Sequence, residues 1–204
     1  MQKLDPLLKE SPSQTAGPYV HIGCVPNFSG ITGVFPQDLG TDMRKDGAKG
    51  DHITIKGVIL DGTGTPLKDA MVEIWQADCD GIYPSGDPRG AGDPNFTGFA
   101  RFAGDYDTGE WSFETVKPGA VPFPDGRMQA PHITFWIVAR GINIGLHTRM
   151  YFPDEDNSND PVLARLEHQN RVPTLIAAPE GPGVYRFTIR LQGEHETIFL
   201  TFEI

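Results

Sequence analysis

This chain has little of what most ligand-specific folds are built around. Its 204 residues include only two cysteines, Cys24 and Cys79, which lie far apart and belong to no Cys-x-x-Cys pair. That excludes a disulfide framework and a structural zinc knuckle, and predicts two free thiols, one or both buried. Positive charge is also scarce: 17 Lys and Arg against 27 Asp and Glu give a formal net charge of -10. A phosphate-backbone partner is therefore excluded, because such binders concentrate basic residues to displace counterions. The same excess of carboxylates would repel an anionic small molecule, so a site for one needs its own arginine. Long apolar runs are missing too, and nothing approaches the 18 or so residues of a membrane span. With no signal-like apolar core in Met1–Pro6, the sequence predicts a cytoplasmic chain. Repeats and low-complexity tracts are absent apart from the polar loop Asp154–Asp160.

What is present is alternation. His52–Ile59 places Ile53, Ile55 and Ile59 on one face, and Tyr185–Gln192 alternates apolar and polar residues without a break. Gly193-Glu194 reads as a turn, after which Thr197–Phe202 is predicted to return as a hairpin with Ile198, Leu200 and Phe202 on its core face. Ala70–Ala77, Thr97–Phe102, Trp111–Val116, Pro131–Arg140 and Leu146–Phe152 are further strand-like segments, each bounded by Gly, Pro or Asp. The 24 Gly and 18 Pro punctuate strands. One helix start stands out, with Asp160 as N-cap, Pro161 in the first turn and Leu163 and Leu166 on one side. The fold class expected is mainly β: a mixed-topology β-sandwich over residues 51–204, preceded by an irregular N-terminal arm over 1–50 and carrying one short helix. A chain of this length buries about 70% of its unfolded surface, enough for one core.

The chemistry is concentrated in Met128–Thr134. On a strand, positions 132 and 134 share a face and could grip one ion, yet His132 is followed there by Thr134, a neutral hydroxyl. The segment looks like a metal-binding strand with a ligand missing. Around it, in order, come Glu73–Asp78 with Trp75-Gln76-Ala77, then Gly81-Ile82-Tyr83, Lys117-Pro118-Gly119, Pro131-His132-Ile133-Thr134 and Arg149–Phe152. In this order and at these spacings they resemble the intradiol ring-cleaving dioxygenases, which hold ferric iron with two tyrosinates and two histidines.

Carried over position by position, the resemblance implies that Tyr83 and His132 match ligands, whereas Val121 and Thr134 stand where the second tyrosine and second histidine would be. It further implies that an arginine is replaced by Gln129 and a glutamine by Arg149. A phenol with a free pKa of about 10 becomes a ligand only under a metal's charge, and losing one outer partner already costs about 10- to 100-fold in affinity, so this chain is expected to bind no metal. Some members of the family pair two related chains, one of which holds the iron. Ser13–Tyr19 and Ala139–Ile144 resemble the other. That resemblance implies a mixed higher-order oligomer with an iron-bearing partner chain, acting with O2 on a catechol that carries a carboxylate. Fe(III) would sit in the partner and no catalytic residue in this chain.

The same resemblance implies that Thr15, Gly17, Pro18 and Arg140 line the partner's substrate pocket, Arg140 facing the carboxylate; a surface ion pair is the alternative for Arg140. Tyr83 and His132 are expected to survive as hydrogen-bonded relics. The other five histidines (His21, His52, His147, His168 and His195) show no ligand spacing. Trp75, Trp111 and Trp136 read as core or interface residues, and Asp105–Glu110 reads as a turn rather than a calcium loop. Two other functions remain open: a self-sufficient homo-oligomeric dioxygenase with unconventional ligands, and a non-catalytic β-sandwich binding module.

Overall fold

The computed structural model describes residues 14–143 and 145–201. A five-residue helix, α1 (Val20–Cys24), precedes ten strands: β1 (His52–Leu60), β2 (Met71–Trp75), β3 (Phe99–Ala103), β4 (Glu110–Val116), β5 (Val121–Pro122), β6 (Met128–Gln129), β7 (His132–Val138), β8 (Leu146–Tyr151), β9 (Ala178–Gly181) and β10 (Val184–Arg190). They form two four-stranded sheets, ordered β4-β1-β10-β9 and β3-β2-β7-β8, and a small β5-β6 hairpin. The β1–β10 pair is parallel and the other ladders are antiparallel, so the mixed-topology sandwich expected from the sequence is what forms.

The inward rows are those the alternation named. Ile53, Ile55 and Ile59 of β1 and Tyr185, Phe187 and Ile189 of β10 meet Val72 and Ile74 of β2 and Ile133, Phe135 and Ile137 of β7. Rings of Trp111, Phe102, Phe113, Phe135 and Phe187 fill the middle, with neighbouring centroids 5.0 to 6.4 Å apart. Gly57 occupies an inward position of β1 because there is no room for a side chain: a Cβ there would lie 2.3 Å from the Trp111 ring and 2.1 Å from the Phe187 carbonyl. The residues before β1 are not detached from this core, since Met43 and Ala48 are buried in it.

Two expectations are corrected. The predicted C-terminal hairpin does not form. Thr197 meets Arg190 on the β10 edge that β9 leaves open, its amide donating to the Arg190 carbonyl and its hydroxyl accepting from the Arg190 amide, but the pairing goes no further. The tail then crosses to β8, the edge of the other sheet, where the Leu200 amide donates to the His147 carbonyl and the Thr148 hydroxyl donates to the Ile198 carbonyl. Phe202 lies outside the described residues. The helix predicted after Asp160 is a single 3-10 turn, Leu163–Arg165. Its cap is as expected, Asp160 Oδ1 accepting from the Val162 and Leu163 amides, but the Gln169 amide side chain takes the Leu163 and Leu166 carbonyls and ends the turn.

Candidate functional site

Because Ile133, Phe135 and Ile137 turn into the sandwich, His132, Thr134 and Trp136 of β7 face the other way. Strand register then assembles the site. On β8, Tyr151 lies opposite His132 and Arg149 opposite Thr134; on β2, Trp75 lies opposite Thr134. Tyr83 stacks on Trp75 at 6.3 Å with nearly parallel rings. Val121, buried on the β5-β6 hairpin, pairs with Gln129 and borders a cleft of about 340 Å³ with Tyr83, Asp87, Arg89 and Pro122. Leu163 and Leu175 pack with Tyr151 and Ala130 and close this end of the sheet. The four family positions, Tyr83, Val121, His132 and Thr134, are thus gathered at one end of the sheet.

Arg149 lies among them. Its Nη1 donates to Gln129 Oε1 at 2.8 Å and approaches the Tyr151 hydroxyl at 3.5 Å, while Gln129 Nε2 donates to the Pro122 carbonyl at 3.2 Å. The Tyr151 hydroxyl in turn donates to Asp160 Oδ1 at 3.3 Å, and Asp160 Oδ2 accepts from the Ala130 amide at 2.8 Å. The capping carboxylate at residue 160 therefore also anchors the strand entering the site. Burial pushes the Tyr83 and Tyr151 phenols up, and the Arg149 guanidinium partly opposes that rise in both.

His132 Nδ1 sits 2.8 Å from the Ala130 carbonyl, so Nδ1 carries the hydrogen and Nε2 the lone pair. That Nε2 is buried and has no hydrogen-bond partner among the described residues. Burial, reinforced by Arg149, pushes the imidazole pKa down to about 3, and the ring stays neutral.

These residues do not fit ferric iron. One phenol, one imidazole, an isopropyl group and a hydroxyl stand at the four positions, and a fixed cation lies beside them. Among the described residues no group of three or more His, Cys, Asp or Glu is arranged to hold a metal.

The remaining predicted residues lie at a second place. Thr15 Oγ1 donates to the Ala139 carbonyl at 2.9 Å, which brings the N-terminal loop beside Arg140. Gly17 has φ +80°, a left-handed conformation that turns the loop and suits glycine. Thr15 and Pro18 are exposed. The Arg140 side chain is 69% exposed, and its Nε pairs with Asp69 Oδ2 at 3.0 Å. Tyr151 and Asp160 were missed as parts of the site by sequence reasoning. Gln129 and Arg149 were noticed only as departures, although opposite changes at two positions are a signal for contact between them.

The fold is a two-sheet β-sandwich that presents His132 and Thr134 on one face of β7. A family model described as Dioxygenase matches residues 25–193, and the chain belongs to that family of intradiol ring-cleaving dioxygenases. Among its relatives, the protocatechuate 3,4-dioxygenase alpha chain of Pseudomonas putida is 45% identical over 96% of this chain and 98% of its own length. The protocatechuate 3,4-dioxygenase beta chain of Burkholderia cepacia is 36% identical over 63% of this chain and 57% of its own. The solved structure of hydroxyquinol 1,2-dioxygenase from Pseudomonas putida DLL-E4 superposes with a TM-score of 0.58 over 85% of this chain and 72% of its own, at 16% identity, which shows the shared fold.

Proposed function

We propose that this chain is the iron-free companion subunit of a protocatechuate 3,4-dioxygenase. The assembled enzyme opens the ring of 3,4-dihydroxybenzoate with O2 between its two hydroxylated carbons, giving 3-carboxy-cis,cis-muconate. The observation that carries the reading is the buried Arg149–Gln129 pair among the four positions where the family places its ligands. It is supported by near full-length similarity to an alpha chain and weaker similarity to a beta chain. Fe(III) belongs in this reading to the beta subunit, which supplies the redox chemistry.

This chain's own contribution is a wall and an interface. Thr15, Gly17 and Pro18 form the loop that lines the partner's pocket, and the exposed guanidinium of Arg140 takes the substrate carboxylate. Tyr19, Phe28, Ile31, Val34, Phe35 and Leu39 are large apolar side chains left exposed near the N-terminus, an apolar surface of the kind that a partner covers. This surface supports pairing with the beta chain, and repetition of that pair into a larger oligomer belongs to the same reading. Cytoplasmic placement belongs to the same reading; Cys24 and Cys79 are both free thiols, and no helix among the described residues is long and apolar enough to cross a membrane.

Arg140→Ala in the assembled enzyme tests the pocket role. A charge-assisted hydrogen bond contributes about 1.5 to 3 kcal/mol, so KM for protocatechuate should rise roughly tenfold to a hundredfold with kcat unchanged. An unchanged KM would mean that Arg140 serves only Asp69.

A further inference from the structure

The family resemblance expects an arginine at position 129 and a glutamine at position 149, and this chain has Gln129 and Arg149. Sequence alone presents these as two separate losses. The structure joins them: Gln129 Oε1 accepts from Arg149 Nη1 at 2.8 Å, so the two departures meet as one pair with the residue types exchanged relative to the family pattern. Relative to that pattern the exchange keeps the same two side chains but carries the positive charge on β8 instead of β6. There it stands directly across from Thr134, whose side chain shares its face. Cβ atoms of such partners are about 4.5 to 5.5 Å apart, within the span of a single coordination sphere. One ligand is meanwhile intact. The His132 Nδ1–H is held by the Ala130 carbonyl, and the buried Nε2 lone pair has no partner among the described residues.

We infer that the exchanged pair, as much as the two missing ligands, keeps iron out of this chain, so that restoring the ligands without reversing the exchange does not restore the site. Removing a tyrosine and a histidine takes away donors. Carrying the guanidinium on β8 instead of β6 sets a repulsive cation on the residue across from Thr134, one of the ligand positions. The inference rests on the reading that the native chain holds no iron of its own.

The test compares full-length chains, each made without a partner and titrated with ferric nitrilotriacetate. One carries Val121→Tyr and Thr134→His; the other adds Gln129→Arg and Arg149→Gln. Bound iron per chain and the visible absorption of ferric tyrosinate are the readouts, with thermal unfolding as the control for folding. The expected result is iron at one per chain in the fourfold variant, and affinity roughly tenfold to a hundredfold lower in the twofold variant. Equal affinity in the two would overturn the inference, as would failure of both folded variants to bind. If the fourfold variant does not fold, adding Arg149→Gln alone to the ligand pair provides the same contrast. Stoichiometric iron in the unaltered chain would instead refute the iron-free reading, a result distinguishable from either.

Discussion

Purified by itself, this chain is expected to turn over no protocatechuate, and a mixture with the iron-bearing beta chain should be at least a thousandfold more active than this chain alone. The expectation follows from the site. At the four positions that the family resemblance singles out, this chain offers one phenol, one imidazole and one neutral hydroxyl, with the Arg149 guanidinium beside them. No step of ring opening is available to Tyr83, whose phenol burial keeps protonated, or to His132, whose free nitrogen is enclosed. The beta chain alone should have residual turnover with a raised KM, since it would lack the wall proposed for Thr15, Gly17, Pro18 and Arg140. Oxygen uptake by each chain and by the mixture checks this; turnover by this chain alone would be incompatible with it.

Acidification should destabilise the chain well above the range in which carboxylates titrate. The folded-state pKa of His132 is about 3, below the value of about 6.5 for a free imidazole. As pH falls, the unfolded chain takes up the proton first, so stability is complete above about pH 6.5 and is lost progressively toward pH 3. From pH 7 to pH 5 the loss from this one group is about 2 kcal/mol, by the linkage relation. Carboxylates held low by their partners, such as Asp93 beside the Lys49 and Asn95 amides, act in the separate window below about pH 4. Urea unfolding at pH 7 and pH 5 should show this slope in the native chain and not in His132→Gln. Identical slopes would show that the imidazole is not held neutral.

Much of this architecture is legible in the amino-acid sequence. Alternation locates both core strands of the first sheet, because a face packed against another sheet leaves a period of two in the chain, as at Ile53-Ile55 and Tyr185-Phe187-Ile189. His132 and Thr134 are legible for a related reason, since they lie two residues apart on one strand and a strand fixes which face they share, whereas Tyr83 and Val121 are reached only through the family resemblance. Longer-range pairing is not legible. Thr197–Thr201 has strand-like alternation, yet after one contact with Arg190 it crosses to the β8 edge of the other sheet, a destination set by the whole sheet order. Asp160 announces itself as a cap through local sequence, whereas its contacts with Ala130 and Tyr151 span 30 and 9 residues. Gln129 and Arg149 are 20 residues apart, and only the β7–β8 ladder reveals that two apparent losses are one exchange.

Iron content of the full-length chain, produced with ample iron and without any beta subunit, tests the central claim most directly. The account predicts far less than one iron per chain and no visible absorption from tyrosinate ligation. One ferric ion per chain, with that absorption, would contradict it.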